Sequence, residues 1–317
     1  MKVADKEKFI KRIVFILIIA LIIIIAVVIM NKNNNVSKEA IVNNINVENE
    51  NIEETEIAEE VIAEPEQKGS KKINFLANVT EPVYKKDEKN IKIPVLIYHA
   101  FRTPIPEADI YKLFSSEENF EENVTTMLDD GYTFITLEDL YEYDQGNIGL
   151  PEKVAIITMD DGQVGCYTDA FPVLKKYNVP ATIFIVNTLV GTEDYFSWEE
   201  AKEMYDTGLV KIHCHGYKHS AYNKDSKETV IGDFTKSHQE IEEHLGEPQM
   251  KAMAYPAGES SVDTIRWLKE AGFEIQVQTR YGTVETTNTL DLTNIGRIRA
   301  ERATGQQLLN QINAKKI

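Results

Sequence analysis

Two stretches of this chain carry side chains that could do chemistry together. Thr158-Met159-Asp160-Asp161-Gly162 closes an apolar run, Val154 to Met159, with two carboxylates and a glycine that frees the backbone. Further on, His213-Cys214-His215-Gly216-Tyr217-Lys218-His219 follows a second apolar segment, Leu209 to Ile212. Asp161, His215 and His219 offer one carboxylate and two imidazoles, and the i to i+4 spacing of the histidines lets both reach one ion. A hydrolytic metal site with three protein ligands keeps a position open for water, whose pKa falls from about 15.7 towards about 7. Asp160 is then left beside the ion, placed to take the proton from that water as it attacks. An Asp-Asp-Gly turn alone is more often an ordinary solvated strand cap, so it is the pair of motifs that carries the reading.

The neighbouring candidates have plainer roles open to them. His213 shares strand parity with His215 and is read as a residue behind the metal ligands rather than a ligand. His238 and His244 fall in a polar helix and are expected to face solvent; Trp198 and Trp267 sit near helix starts, where packing is the default. Tyr255 could stack on a sugar ring or simply form an apolar wall. Mixed carboxylate and imidazole ligands suit zinc first, with cobalt, manganese or iron also compatible.

These residues need elements to hold them. Ile91 to His99 reads as a first strand, and strand-like runs recur at Tyr132–Ile135, Val154–Met159, Ala181–Val186, Leu209–Cys214, Met250–Tyr255, Phe273–Gln278 and Ile295–Ile298. Between them lie amphipathic segments opened by capping boxes, Ser115 with Glu118, Thr136 with Asp139 and Ser197 with Glu200, and a long polar helix from Lys227 to Leu245. Alternating strands and helices predict a parallel α/β sheet, here a (β/α) barrel of about seven or eight units rather than an open doubly wound sheet. In such folds the loops at the strands' carboxyl ends supply the reactive groups, which is where both motifs fall.

The first part of the 317-residue chain is different in kind. Ile13 to Met30 is an unbroken apolar block, preceded by Lys2, Lys6, Lys8, Lys11 and Arg12. That pattern predicts residues 1–12 as a cytoplasmic N-terminus and 13–30 as a transmembrane anchor, with the rest outside the cell. A cleaved signal peptide is the rival, but no small-x-small cleavage pattern follows the block. Residues 31–90, rich in Asn and Glu, are expected to form a disordered tether, within which Ile73 to Val83 can pack as an edge segment on the domain that follows, and 91–317 the catalytic domain. A net charge of −17 argues against nucleic acid as a partner. Cys166 and Cys214 are read as free buried thiols, since one pair is not a disulfide framework.

From about Ile91 onward the chain resembles the polysaccharide deacetylases of carbohydrate esterase family 4, the NodB-homology group. Thr158-Met159-Asp160-Asp161-Gly162 stands at that family's first motif, His215-Gly216-Tyr217-Lys218-His219 at its His-x-x-x-His motif, and Ala254-Tyr255-Pro256-Ala257-Gly258 at its third. The resemblance implies a distorted (β/α) barrel and metal-dependent removal of acetyl groups from a carbohydrate. It implies Asp160 as general base, Asp161, His215 and His219 as metal ligands, and the Ala257 N–H as an oxyanion donor, with Tyr255 beside the substrate. Two positions depart from the family pattern, Ala254 where an arginine is usual and Ala257 where a tyrosine is, and no histidine follows His244 to act as general acid. The poly-N-acetylglucosamine deacetylase branch is similar in a way that accounts for this. Its acid histidine arrives on the first strand, matching Leu96-Ile97-Tyr98-His99, and its late Arg-x-Arg matches Arg297 and Arg299, which the resemblance implies take over the orienting of the base. The expected partner is an N-acetylated polysaccharide, in the cell wall or secreted. A catalytically impaired glycan-binding protein and an O-acetyl esterase acting on wall or xylan-like sugars are the alternatives.

Overall fold

A computed structural model describes residues 70–247, 249–286 and 290–314. The predicted cytoplasmic terminus, anchor and most of the tether lie outside the described residues. Among the described residues no helix is long and apolar enough to cross a membrane.

Seven parallel strands among the described residues close a barrel. They are β1 (Val95–Tyr98), β2 (Val154–Asp161), β3 (Ala181–Ile185), β4 (Val210–Cys214), β5 (Ala252–Ala254), β6 (Ile275–Tyr281) and β7 (Ile295–Arg299). Each pairs with the next in chain order, and β7 returns to β1 with Ile298 opposite Leu96. The Tyr132–Ile135 segment forms only a two-residue strand, Thr133–Phe134, beside the start of β2, and is not a stave of the barrel. The helices are α1 (Glu117–Asp129), α2 (Leu137–Asp144), α3 (Phe171–Tyr177), α4 (Trp198–Asp206), α5 (Lys227–Leu245), α6 (Val262–Glu270) and α7 (Gln306–Asn313).

Because side chains alternate along a strand, each stave feeds two cores. One row, including Leu96, Ile157, Ile183, Ile212, Met253 and Ile298, packs outward on Phe120, Leu174, Met204, Phe234, Leu268 and Leu308 of the helices. The other row, including Val95, Ile156, Phe184, Ala254, Val277 and Ile295, fills the barrel, with Leu137, Leu140 and Tyr143 of α2 packed into the same cluster. Burial on both faces is why these strands read as continuous apolar runs.

Three local expectations are corrected. The cap of α1 is Ser116, whose hydroxyl accepts from the Asn119 N–H at 3.1 Å, so the helix starts one residue later than Ser115 with Glu118 predicts and is capped from one side only. The boxes Thr136 with Asp139 and Ser197 with Glu200 stand as read. The tether does not extend to residue 90, because Val83–Tyr84 pairs with Leu150–Pro151 and Ile73 and Phe75 pack against the outer core. As expected of Ile73 to Val83, its apolar residues complete a core built elsewhere in the chain. His238 is buried in α5, against Phe273 and 3.2 Å from Glu242, rather than facing solvent.

Candidate active site

The inward rows end in polar residues at the mouth. His99 follows Val95 and Ile97 with the same parity, Asp160 follows Ile156 and Thr158, His215 follows Lys211 and His213, and Arg297 follows Ile295. The barrel therefore delivers four residues from four different staves to one end.

Asp161 is the last residue of β2, with φ 76°, and Gly162 continues at φ 81°. A left-handed backbone at an aspartate carries a conformational cost of the kind that collects at functional sites. A side chain at Gly162 would be strained by the same left-handed backbone and would crowd Ile185, whose Cγ2 lies 3.0 Å from where a Cβ would stand. Asp161 Oδ1 lies 3.4 Å from His215 Nε2 and 3.3 Å from His219 Nε2. His215 Nδ1 is bonded to the Ala254 carbonyl at 2.9 Å, which leaves Nε2 to face the carboxylate. The loop that brings His219 in, itself at φ 57°, is tied down by Asp233 of α5, which accepts from the Tyr217 N–H at 2.6 Å and from the Tyr222 hydroxyl. One ligand atom from each of Asp161, His215 and His219 lies within 4.8 Å of the other two. One carboxylate and two imidazoles converging this closely fit a divalent cation.

Asp160 is buried and grips Arg297 with both oxygens, at 2.6 Å each. The guanidinium is itself wholly buried and otherwise satisfied, donating to Thr158 Oγ1 at 3.1 Å and to the Gln278 carbonyl at 2.8 Å. Burial would raise the Asp160 pKa, but Arg297 and His215 outweigh it and hold the group below the ordinary carboxylate range. Asp161 is depressed too: burial opposes ionisation, and hydrogen bonding with His215 and His219 overcomes it. Burial lowers the His215 pKa, yet the two aspartates turn the net shift upward.

His99 Nδ1 meets Glu301 Oε1 at 2.8 Å, and Glu301, 1% exposed, takes Arg299 Nε on its other oxygen at 3.4 Å. Arg299 does not reach Asp160; its Nη2 donates to the Tyr111 and Lys112 carbonyls. Ala257 is exposed at φ 55° in the turn after β5, whose internal hydrogen bonds use the N–H groups of Gly258 and Glu259.

Two site expectations are corrected. Tyr255 is completely buried on the outward face of the sheet, its hydroxyl donating to Gln276 Oε1 at 2.5 Å, so it offers no face to a sugar. His213 turns its Nε2 to Glu138 of α2 at 2.8 Å, deeper in the barrel, and its ring hydrogen-bonds no member of the metal cluster. Glu301 was missed. The available signal was an acid two residues beyond Arg299, just past the last stave.

Barrel and mouth together place a cluster of one carboxylate and two imidazoles at the carboxyl ends of parallel strands. Residues 147–276 match the family model described as Polysaccharide deacetylase. Among named relatives, the poly-beta-1,6-N-acetyl-D-glucosamine N-deacetylase of Staphylococcus aureus (strain MSSA476) is 34% identical over 173 residues, 50% of this chain and 59% of that protein. The match thus spans little more than half of the relative's length. The fold resembles the Streptococcus pyogenes deacetylase PplD, solved in complex with acetate, with a TM-score of 0.64 and 25% identity over 71% of this chain and all of that one. It also resembles IcaB from Ammonifex degensii, with a TM-score of 0.62 and 26% identity over 71% of this chain and 98% of that one.

Proposed function

We propose that this protein is a divalent-metal-dependent N-deacetylase of an N-acetylglucosamine-containing polysaccharide, held at the cell surface by an N-terminal membrane anchor. The observation that carries the reading is the placement of Asp161 between His215 and His219, with Asp160 beside them 4.0 Å from His215. Asp161, His215 and His219 would hold the cation, with zinc the first choice for this donor set. Bound there, it supplies Lewis acidity toward the acetamide and the attacking water.

The chain's own residues supply the rest. Asp160 accepts the proton of the attacking water; each of its oxygens keeps a lone pair beyond the one given to Arg297. A carboxylate with a depressed pKa is a weak base, so its effect rests on position, which the bidentate arginine fixes. The Ala257 N–H, in a turn whose own bonds do not use it, donates to the oxyanion of the tetrahedral intermediate. Glu301 accepts from Nδ1 of His99, so the protonated ring gives its Nε2 proton to the leaving amine. The bond from carbonyl carbon to nitrogen breaks, leaving acetate and a free glucosamine amine.

The full-length protein, incubated with N-acetylglucosamine oligomers, is expected to release acetate and free amine in equal amounts, and to stop when a chelator is added. Acetate without amine, from O-acetylated sugars only, points instead to an esterase.

A further inference from the structure

Resting on the deacetylase reading, we propose that a cationic cleft beside the active site binds an anionic substituent, a carboxylate or phosphate, on the sugar next to the one being deacetylated. The cleft, about 290 Å³, is lined by Lys112, Arg299, Glu301 and Arg302 together with Gln307 and Gln311 of α7. It is smaller than the roughly 300–1,000 Å³ of pockets that enclose a whole drug-sized ligand, so it suits one substituted sugar unit rather than a length of chain.

Its position follows from Glu301. One oxygen of this buried carboxylate holds His99 and the other holds Arg299, so the cleft is separated from the proposed general acid by a single side chain. Three cations gather there in a chain whose net charge is −17. Part of the charge is spent within the protein: Arg302 Nη2 pairs with Asp109 at 2.7 Å, and Asp109 also accepts from the Leu113 and Phe114 N–H groups, which secures the loop that carries Lys112. The rest is unspent. Among the described residues, Lys112 Nζ, Arg299 Nη1 and the Nε and Nη1 of Arg302 make no hydrogen bond or ion pair. Arg299 and Arg302 are half and two-fifths exposed at their side chains, open to a ligand yet held at one end. Guanidinium forks recognise carboxylate and phosphate through paired N–H donors, and the two glutamine amides match the hydroxyls of the sugar that carries the anion.

The test compares kcat/KM of the full-length protein on three oligomers: neutral N-acetylglucosamine chains, chains alternating with a carboxylate-bearing sugar, and chains bearing a phosphate monoester. One charge-assisted hydrogen bond is worth about 1.5–3 kcal/mol, so a preference of about tenfold or more for one of the anionic chains is expected. Lys112→Glu is expected to bring the ratio of anionic to neutral kcat/KM close to one, and added salt to erode it in the unaltered protein. Which anionic chain is favoured separates carboxylate from phosphate. Equal kcat/KM on all three, or a preference that survives Lys112→Glu, overturns the cleft while leaving the deacetylase reading intact. Calorimetric binding of the same oligomers covers the opposite case. Tighter binding of an anionic chain, weakened by Lys112→Glu, with no acetate released from any chain, keeps the cleft and overturns the deacetylase reading.

Discussion

Asp160 and Arg297 form a bidentate ion pair with neither partner exposed. Removing one member of a buried pair strands the other, at a cost of about 3–5 kcal/mol. Arg297→Gln is expected to lower stability by that order in denaturant titration; an unchanged midpoint would mean that Asp160 is not held as described. Arg297→Lys restores the charge but not the fork, so it should recover only part of the loss. At this scale the sequence was legible where chemistry imposes spacing: Asp161, His215 and His219 converge as their motifs required. It was not legible where a role depends on which way a side chain turns. Tyr255 sits among motif residues but points outward, and His213 has the parity of His215 yet meets Glu138. Glu301 carried no motif, because its importance is conferred by His99 from the opposite end of the domain.

Elements were read well where local energetics decide them. The boxes at Thr136 and Ser197 are such cases, and Ser197→Ala is expected to cost about 1 kcal/mol of stability, as loss of a helix N-cap does. Tight approaches between elements leave a fainter trace. Gly165 lies so close to the strand after His99 that a Cβ would stand 2.1 Å from the Phe101 carbonyl oxygen. Gly165→Ala should therefore displace Phe101 and with it His99, lowering kcat more than it lowers thermal stability. Equal activity in that variant would separate His99 from the reaction. A glycine in sequence does not declare which backbone it must admit, so this contact was visible only in the fold.

For the whole molecule, alternation of strands and helices revealed the barrel, because each stave is buried on both faces and reads apolar throughout. The domain boundary was obscured, since residues 70–90 contribute scattered side chains to a core formed by others. A chain beginning at residue 91 loses the packing of Ile73 and Phe75 and the Val83–Tyr84 pairing. It should be less stable than one beginning at residue 70 by about 1–3 kcal/mol, the range for burying an apolar side chain. The measurement that bears most directly on the central claim is acetate and free-amine release from N-acetylglucosamine oligomers by the intact protein and by Asp160→Asn, each stripped of metal and then resupplied with zinc or cobalt. The account predicts release only after a metal is restored, equal amounts of both products, and a loss of about 10²–10⁴-fold in Asp160→Asn, the contribution of general acid–base catalysis. Full turnover by Asp160→Asn, or turnover that ignores the metal, would contradict it.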